Sequence, residues 1–109
     1  MKVEQLINDK GNGAMNQFVI SGDGKLIFQS YDSMIAEINY NTNTITIGKD
    51  WDYSVTTSKH RNIFFRNYAE MSELATKDGL KKAIKDGVCN NFKVVLQCSQ
   101  IGDLLYYGM

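Results

Sequence analysis

Two runs of β-forming residues flank Gly22-Asp23-Gly24: Gln17-Phe18-Val19-Ile20-Ser21 before it and Lys25-Leu26-Ile27-Phe28-Gln29-Ser30-Tyr31 after it. A short glycine-bearing corner between such runs supplies the positive φ angles of a tight turn, so this stretch reads as a hairpin. The chain contains no proline. Its punctuation therefore falls to glycine and asparagine, which tolerate left-handed backbone.

The β pattern continues. Ser33 to Tyr40 places Met34, Ala36 and Ile38 on one face and Ile35, Glu37 and Asn39 on the other. Asn41-Thr42-Asn43 makes a turn, and Thr44-Ile45-Thr46-Ile47-Gly48 alternates with period two, which buries both isoleucines together. Val3 to Ile7 is a first strand or a lead-in, followed by a loop at Asn8-Asp9-Lys10-Gly11-Asn12-Gly13. Consecutive hairpins of this kind form an antiparallel meander.

After Trp51-Asp52-Tyr53 the period changes. Ser54-Val55-Thr56-Thr57-Ser58 holds several candidate N-caps, and Lys59 to Tyr68 carries Ile63, Phe64 and Tyr68 at helical spacing. A second helix starts near Ser72 or Thr76, with Leu80, Ala83 and Ile84 as its apolar stripe and Gly87 as its stop. Asn91 to Cys98 reads as a last strand. The expected fold is thus α+β: a single domain over 1–109, with an antiparallel sheet of four to five strands and two helices on one face. Its expected core is Phe18, Ile20, Phe28, Ile45, Ile47, Trp51, Ile63, Phe64, Leu80 and Ile84.

At 109 residues, 43% hydrophobic and 22% charged, such a domain needs neither a disulfide nor a metal to fold. The first residues lack a long apolar core and no stretch is long enough to cross a bilayer, so a cytoplasmic protein without membrane contact is expected. Cys89 and Cys98 stand an odd number of positions apart, on opposite faces of any one strand, and are expected as free thiols. With no CxxC and one histidine, His60, no cofactor or metal is expected.

Formal charge is balanced at 12 bases and 12 acids, which argues against a dedicated nucleic-acid binder. The distribution is polar: residues 1–55 sum to −3 and residues 56–109 to +3. This singles out two sets of residues. The acids Asp23, Asp32, Glu37, Asp50 and Asp52 are candidates for contacting a protein partner. The bases Lys59, Arg61, Arg66, Lys77, Lys81, Lys82 and Lys85 are candidates for a nucleic-acid face, with Tyr40, Tyr53, Phe65 and Tyr68 as stacking groups.

Catalytic signatures are missing. The glycine loops sit before or between strands, whereas a phosphate cradle needs a helix behind it. His60 has cationic neighbours in place of an orienting carboxylate. Asp50 and Asp52 share a side if Asp50-Trp51-Asp52 is extended, and could then hold a divalent cation weakly.

Asn16-Gln17-Phe18-Val19-Ile20, Phe28-Gln29-Ser30-Tyr31-Asp32-Ser33-Met34-Ile35-Ala36, Trp51-Asp52-Tyr53-Ser54-Val55-Thr56-Thr57-Ser58-Lys59 and Asn62-Ile63-Phe64-Phe65 together resemble a family of short proteins encoded by bacteriophages, plasmids and related mobile elements. The resemblance covers about residues 1–66, and Phe-Gln-Ser-Tyr-x-Ser and Trp-Asp-Tyr-Ser-x-Thr-Thr are its most specific segments. It brings no activity and no catalytic residue. It does imply a biology in which small non-enzymatic proteins occlude a host machine, as anti-CRISPR proteins do.

Three functions are therefore expected in this order. The first is an inhibitor that binds a host protein such as a CRISPR effector nuclease through its acidic residues. The second is a small nucleic-acid-binding regulator using the basic helices. The third is a metal-dependent or hydrolytic enzyme built on His60, Cys89 and Cys98. The chain is expected as a monomer, or as a homodimer joined through its apolar tail, Leu104-Leu105-Tyr106-Tyr107.

Overall fold

Asp23 and Gly24 both take positive φ, 54° and 77°, the pair of left-handed residues that matches a two-residue turn to the twist of its strands. In the computed structural model, which describes residues 1–97, this corner joins β2 (Gly13–Gly22) to β3 (Lys25–Ser30). β1 (Lys2–Ile7) precedes them, and β4 (Ser33–Asn39) and β5 (Thr44–Ile47) complete an antiparallel meander.

The sheet is larger than the expected four to five strands. It has seven, in the order β1-β2-β3-β4-β5-β7-β6. At the far edge lie β6 (Val88–Cys89), a strand not expected from the sequence, and β7 (Phe92–Leu96), within the expected last strand, paired about a turn at Asn90, whose φ is 54°. β7 lies parallel to β5, because the helical segment between them carries the chain back to the starting end of the sheet. Cys89 ends β6, and β7 runs from Phe92 to Leu96 within the expected Asn91–Cys98; Cys98 and the apolar tail lie outside the described residues.

The hairpin register corrects the expected core. Val19 stands opposite Phe28, Phe18 opposite Gln29 and Ile20 opposite Ile27. Directly opposed residues share a face, so burying Phe28 turns Val19 inward and Phe18 and Ile20 outward. Val19 and Phe28 are buried, while Phe18 and Ile20 are half-buried. The pairing of β3 with β4 is irregular, with Phe28 opposite Ala36 and Gln29 opposite Met34. The skipped residue, Ile35, is buried beside Ala36, which breaks the strict alternation expected of this strand.

One face of the sheet is covered by helix. α1 (Val55–Ile63) begins four residues earlier than the pattern around Lys59 suggested, because the Ser54 side chain accepts the Thr57 amide. It runs into a π-helical turn, Phe64–Tyr68, closed by the Ala69 amide on the Phe64 carbonyl at 3.0 Å. Phe64 and Phe65 are both fully buried, and Phe64 stacks on Phe28 with ring centres 5.6 Å apart. After a short 3₁₀ turn, Ser72–Leu74, α2 (Lys77–Asp86) is capped by Thr76 and ended by left-handed Gly87, as its sequence signals required. Leu80 and Ala83 join Ile38, Ile45, Ile47 and Val94 in one core.

Val3, Ile20, Ile27, Glu37, Thr46 and Val95 run in register across the opposite face. None of the described helices is long and apolar enough to cross a membrane.

Candidate binding cleft

At the end of the sheet away from the Asp23 corner, β3 turns into β4 through Tyr31 and Asp32. Tyr31 adopts a φ of 55°, unusual for a bulky side chain and costly by roughly 1–2 kcal/mol. Its backbone is held from both sides: its amide donates to the Asn16 carbonyl at 2.7 Å, and the Gln29 side-chain amide donates to its carbonyl at 2.7 Å.

The chain between β5 and α1 forms the facing wall. Gly48 is buried and donates to the Ile35 carbonyl at 2.8 Å. A Cβ at this position would collide with the Met34 carbonyl oxygen, so the close approach requires glycine. Consecutive turns follow, with the Trp51 amide on the Gly48 carbonyl and the Tyr53 amide on the Asp50 carbonyl. Arg61 holds this loop to α1. It is fully buried, donates from Nη1 to the Trp51 carbonyl at 2.7 Å and from Nη2 to Asn62 Oδ1 at 3.0 Å, and lies over the Trp51 ring.

Between the two walls is a cleft of about 570 Å3. Tyr31 and Tyr53 stand on its sides, 57% and 80% exposed. The buried residues Ser30 and Thr57, only 3% and 4% exposed, are part of its lining, and their hydroxyls are 3.4 Å apart. Ser54 Oγ donates in turn to Thr57 Oγ1 at 3.2 Å. Asp32, Ser33, Lys49 and Asp50 line the rest with Ile35. Asp50 accepts from Lys49 Nζ at 3.0 Å and from Ser33 Oγ at 3.0 Å, and these two contacts hold its carboxyl below the usual carboxylate range. The segments Phe-Gln-Ser-Tyr-x-Ser and Trp-Asp-Tyr-Ser-x-Thr-Thr, separate in sequence, thus both contribute to the lining of one cavity.

A family model covers residues 1–85, and with them every residue of the cleft. The chain belongs to this family, a family of unknown function designated DUF8033. No curated protein and no solved structure matches the chain. The family span takes in the whole meander, α1 and nearly all of α2, and stops before β6 and β7.

The acidic residues singled out from this DUF8033 sequence do not form one surface. Asp32 and Asp50 meet in the cleft. Asp23 lies at the opposite end of β3, and Glu37 is in register on the open face of the sheet. Asp52 turns away to Lys77 Nζ at 3.0 Å and to the Ser58 hydroxyl; these, with Lys77 first, hold its carboxyl low. The extended Asp50-Trp51-Asp52 that would align the two carboxylates is replaced by turns. Among the described residues no group of three or more candidate metal ligands comes together.

The basic set is likewise divided. Arg61, expected in water, is inside the protein because its aliphatic stem and planar head fill the space under Trp51. Arg66 pairs with Asp9, Lys77 with Asp52 and Lys82 with Asp86. Lys59, Lys81 and Lys85 are exposed and make no ion pair among the described residues. The expected stacking groups are also dispersed. Phe65 is buried, the Tyr68 hydroxyl accepts from the Ile7 amide, and Tyr40 meets Phe92 edge-on.

His60 Nδ1 lies 2.9 Å from the Thr56 carbonyl on its own helix. Cys89 lines a separate cavity of about 260 Å3 beside Glu73, where burial and that carboxylate raise its thiol. His60 is not part of that cavity. Ser30, Tyr31, Lys49 and Thr57 are site residues that charge patterning does not single out. The signal for three of them was their place in the two most specific segments of the sequence.

Proposed function

We propose that the protein is a binding protein, that its working surface is the tyrosine-flanked cleft, and that its partner is a host defence protein. The observation that carries this reading is the pair Tyr31 and Tyr53, exposed by 57% and 80% and both lining one cavity. Tyrosine offers a large contact area at low entropic cost and is enriched where interfaces concentrate their energy. Here one of the two is held in a strained backbone conformation, a cost that structures retain chiefly at functional positions. Occlusion of a CRISPR effector nuclease is the first specific form to test. Its support is the resemblance to short mobile-element proteins and the acidic side chains Asp32 and Asp50 at the cleft, which suit a basic surface.

The test is recovery of partners on tagged protein from a bacterial host bearing a CRISPR system, with and without nuclease treatment. The expected result is nuclease-resistant capture of an effector protein, lost in a Tyr31→Ala, Tyr53→Ala double variant. Capture that disappears with nuclease and weakens with salt transfers the function to nucleic acid and to Lys59, Lys81 and Lys85.

A further inference from the structure

We infer that the cleft receives a planar cation, the guanidinium of an arginine presented by a protein partner. This inference rests on the binding reading above and names the chemistry that the cleft selects.

The charges of the lining decide the sign of the ligand. Asp32, Asp50 and Lys49 line the cavity, two acids against one base. Lys49 and Asp50 satisfy each other at 3.0 Å, with Ser33 completing the Asp50 carboxylate. Asp32 makes no ion pair among the described residues. It carries the lining's unmatched charge, and that charge is negative.

The start of α1 lies close by, and a helix N-terminus ordinarily favours an anion. Its amides are not directed to this cavity. The Thr57 amide is taken by Ser54 Oγ at 3.1 Å and the Ser58 amide by the Ser54 carbonyl at 2.9 Å. Val55 and Thr56, whose amides open the helix, are not part of the lining.

Shape distinguishes arginine from lysine. Two aromatic side chains on the cavity walls suit a flat, delocalised cation, which stacks on a ring face while its edge donates several parallel N–H bonds. The charged acceptor for those bonds is the Asp32 carboxylate, with Ser30 and Thr57, whose hydroxyls lie 3.4 Å apart, as neutral neighbours in the lining. An ammonium has neither the plane nor the fork. At about 570 Å3 the cavity is in the range of small-ligand sites, with room for the side chain and some of its flanking peptide.

The probe is N-acetyl-arginine methylamide, titrated into ¹⁵N-labelled protein and followed by amide chemical shifts. Saturable shifts confined to Ser30, Tyr31, Asp32, Tyr53 and Thr57 are expected. The corresponding lysine compound should bind at least about threefold more weakly, and Asp32→Asn should weaken the arginine compound about fivefold while its spectrum stays that of the folded protein. No saturable response, equal response to lysine, or response of these amides to inorganic phosphate instead would overturn the inference.

Partner capture separates this inference from the broader reading. Wild-type recovery by Asp32→Asn, with loss in the Tyr31→Ala, Tyr53→Ala variant, removes the guanidinium and leaves the binding cleft. Full recovery by both variants removes the cleft as well.

Discussion

Arg61 donates from Nη1 to the Trp51 carbonyl at 2.7 Å, and its guanidinium carbon is 5.3 Å from the centre of the Trp51 ring. One side chain therefore ties the loop that forms a cleft wall to the helix behind it. Burial lowers the affinity of this guanidinium for its proton, and the field of Asp52 works in the other direction. The arginine remains charged, as arginines in proteins do, and neutral oxygens carry its hydrogen bonds.

Arg61→Ala should destabilise the domain by about 3 kcal/mol, since it removes hydrogen bonds from a charged donor and empties a packed site. Arg61→Lys should recover less than half of that, because an ammonium cannot reproduce the fork. Urea denaturation measures both. Trp51, the single tryptophan, should show red-shifted emission in either variant, and unchanged emission would mean that the loop does not depend on this contact.

Gly48→Ala places a methyl against the Met34 carbonyl oxygen. Backbone on both sides must move, so a loss of about 2–3 kcal/mol is expected. A change within about 0.5 kcal/mol in thermal or urea unfolding would contradict the close approach of β5's end to β4.

Tyr31→Gly and Tyr31→Ala delete the same ring but differ in their tolerance of φ 55°. The glycine variant should be more stable than the alanine variant by about 1 kcal/mol. If the order is reversed, the left-handed turn is not the conformation in solution.

Gln17 is 1% exposed and its Oε1 has no hydrogen-bond partner among the described residues. Gln17→Met keeps the volume and removes the unsatisfied oxygen, so stability should be unchanged or higher by up to about 1 kcal/mol. Loss of more than about 1 kcal/mol would show that this amide is bonded.

Asp50 and Asp52 have carboxyls held below their ordinary range, Asp50 mainly by Lys49 and Ser33, Asp52 mainly by Lys77. A lowered folded-state pKa means that the unfolded chain takes up protons first as pH falls. Their stabilisation is complete above the ordinary carboxylate pKa of about 4 and is lost as pH falls through the lower folded values. Stability should decline below about pH 4, and Asp50→Asn should make that decline shallower. Both groups are near the surface, so 1 M salt should reduce the effect.

The local elements were legible in the sequence because their causes are local. Gly22-Asp23-Gly24 provides its own positive φ, Thr76 and Gly87 bracket α2, and the alternation of Thr44–Ile47 names its buried face. Even the reversed core of β2 follows from one local fact: a two-residue turn places Val19 and not Phe18 across from Phe28.

Tertiary structure alone decided the rest. No local signal pairs β7 with β5 in parallel, since that contact depends on the path of two intervening helices. Nor does the pattern of charges reveal that Arg61 is buried or that Lys77 and Arg66 are matched by acids elsewhere in the chain. Charge is read from composition, but its availability depends on what the fold brings within about 4 Å. The cleft belongs to the same category. Its two segments were visible as distinct stretches of sequence, and the fold brought them into one lining because β4 and β5 are neighbours and the loop after β5 leads into α1.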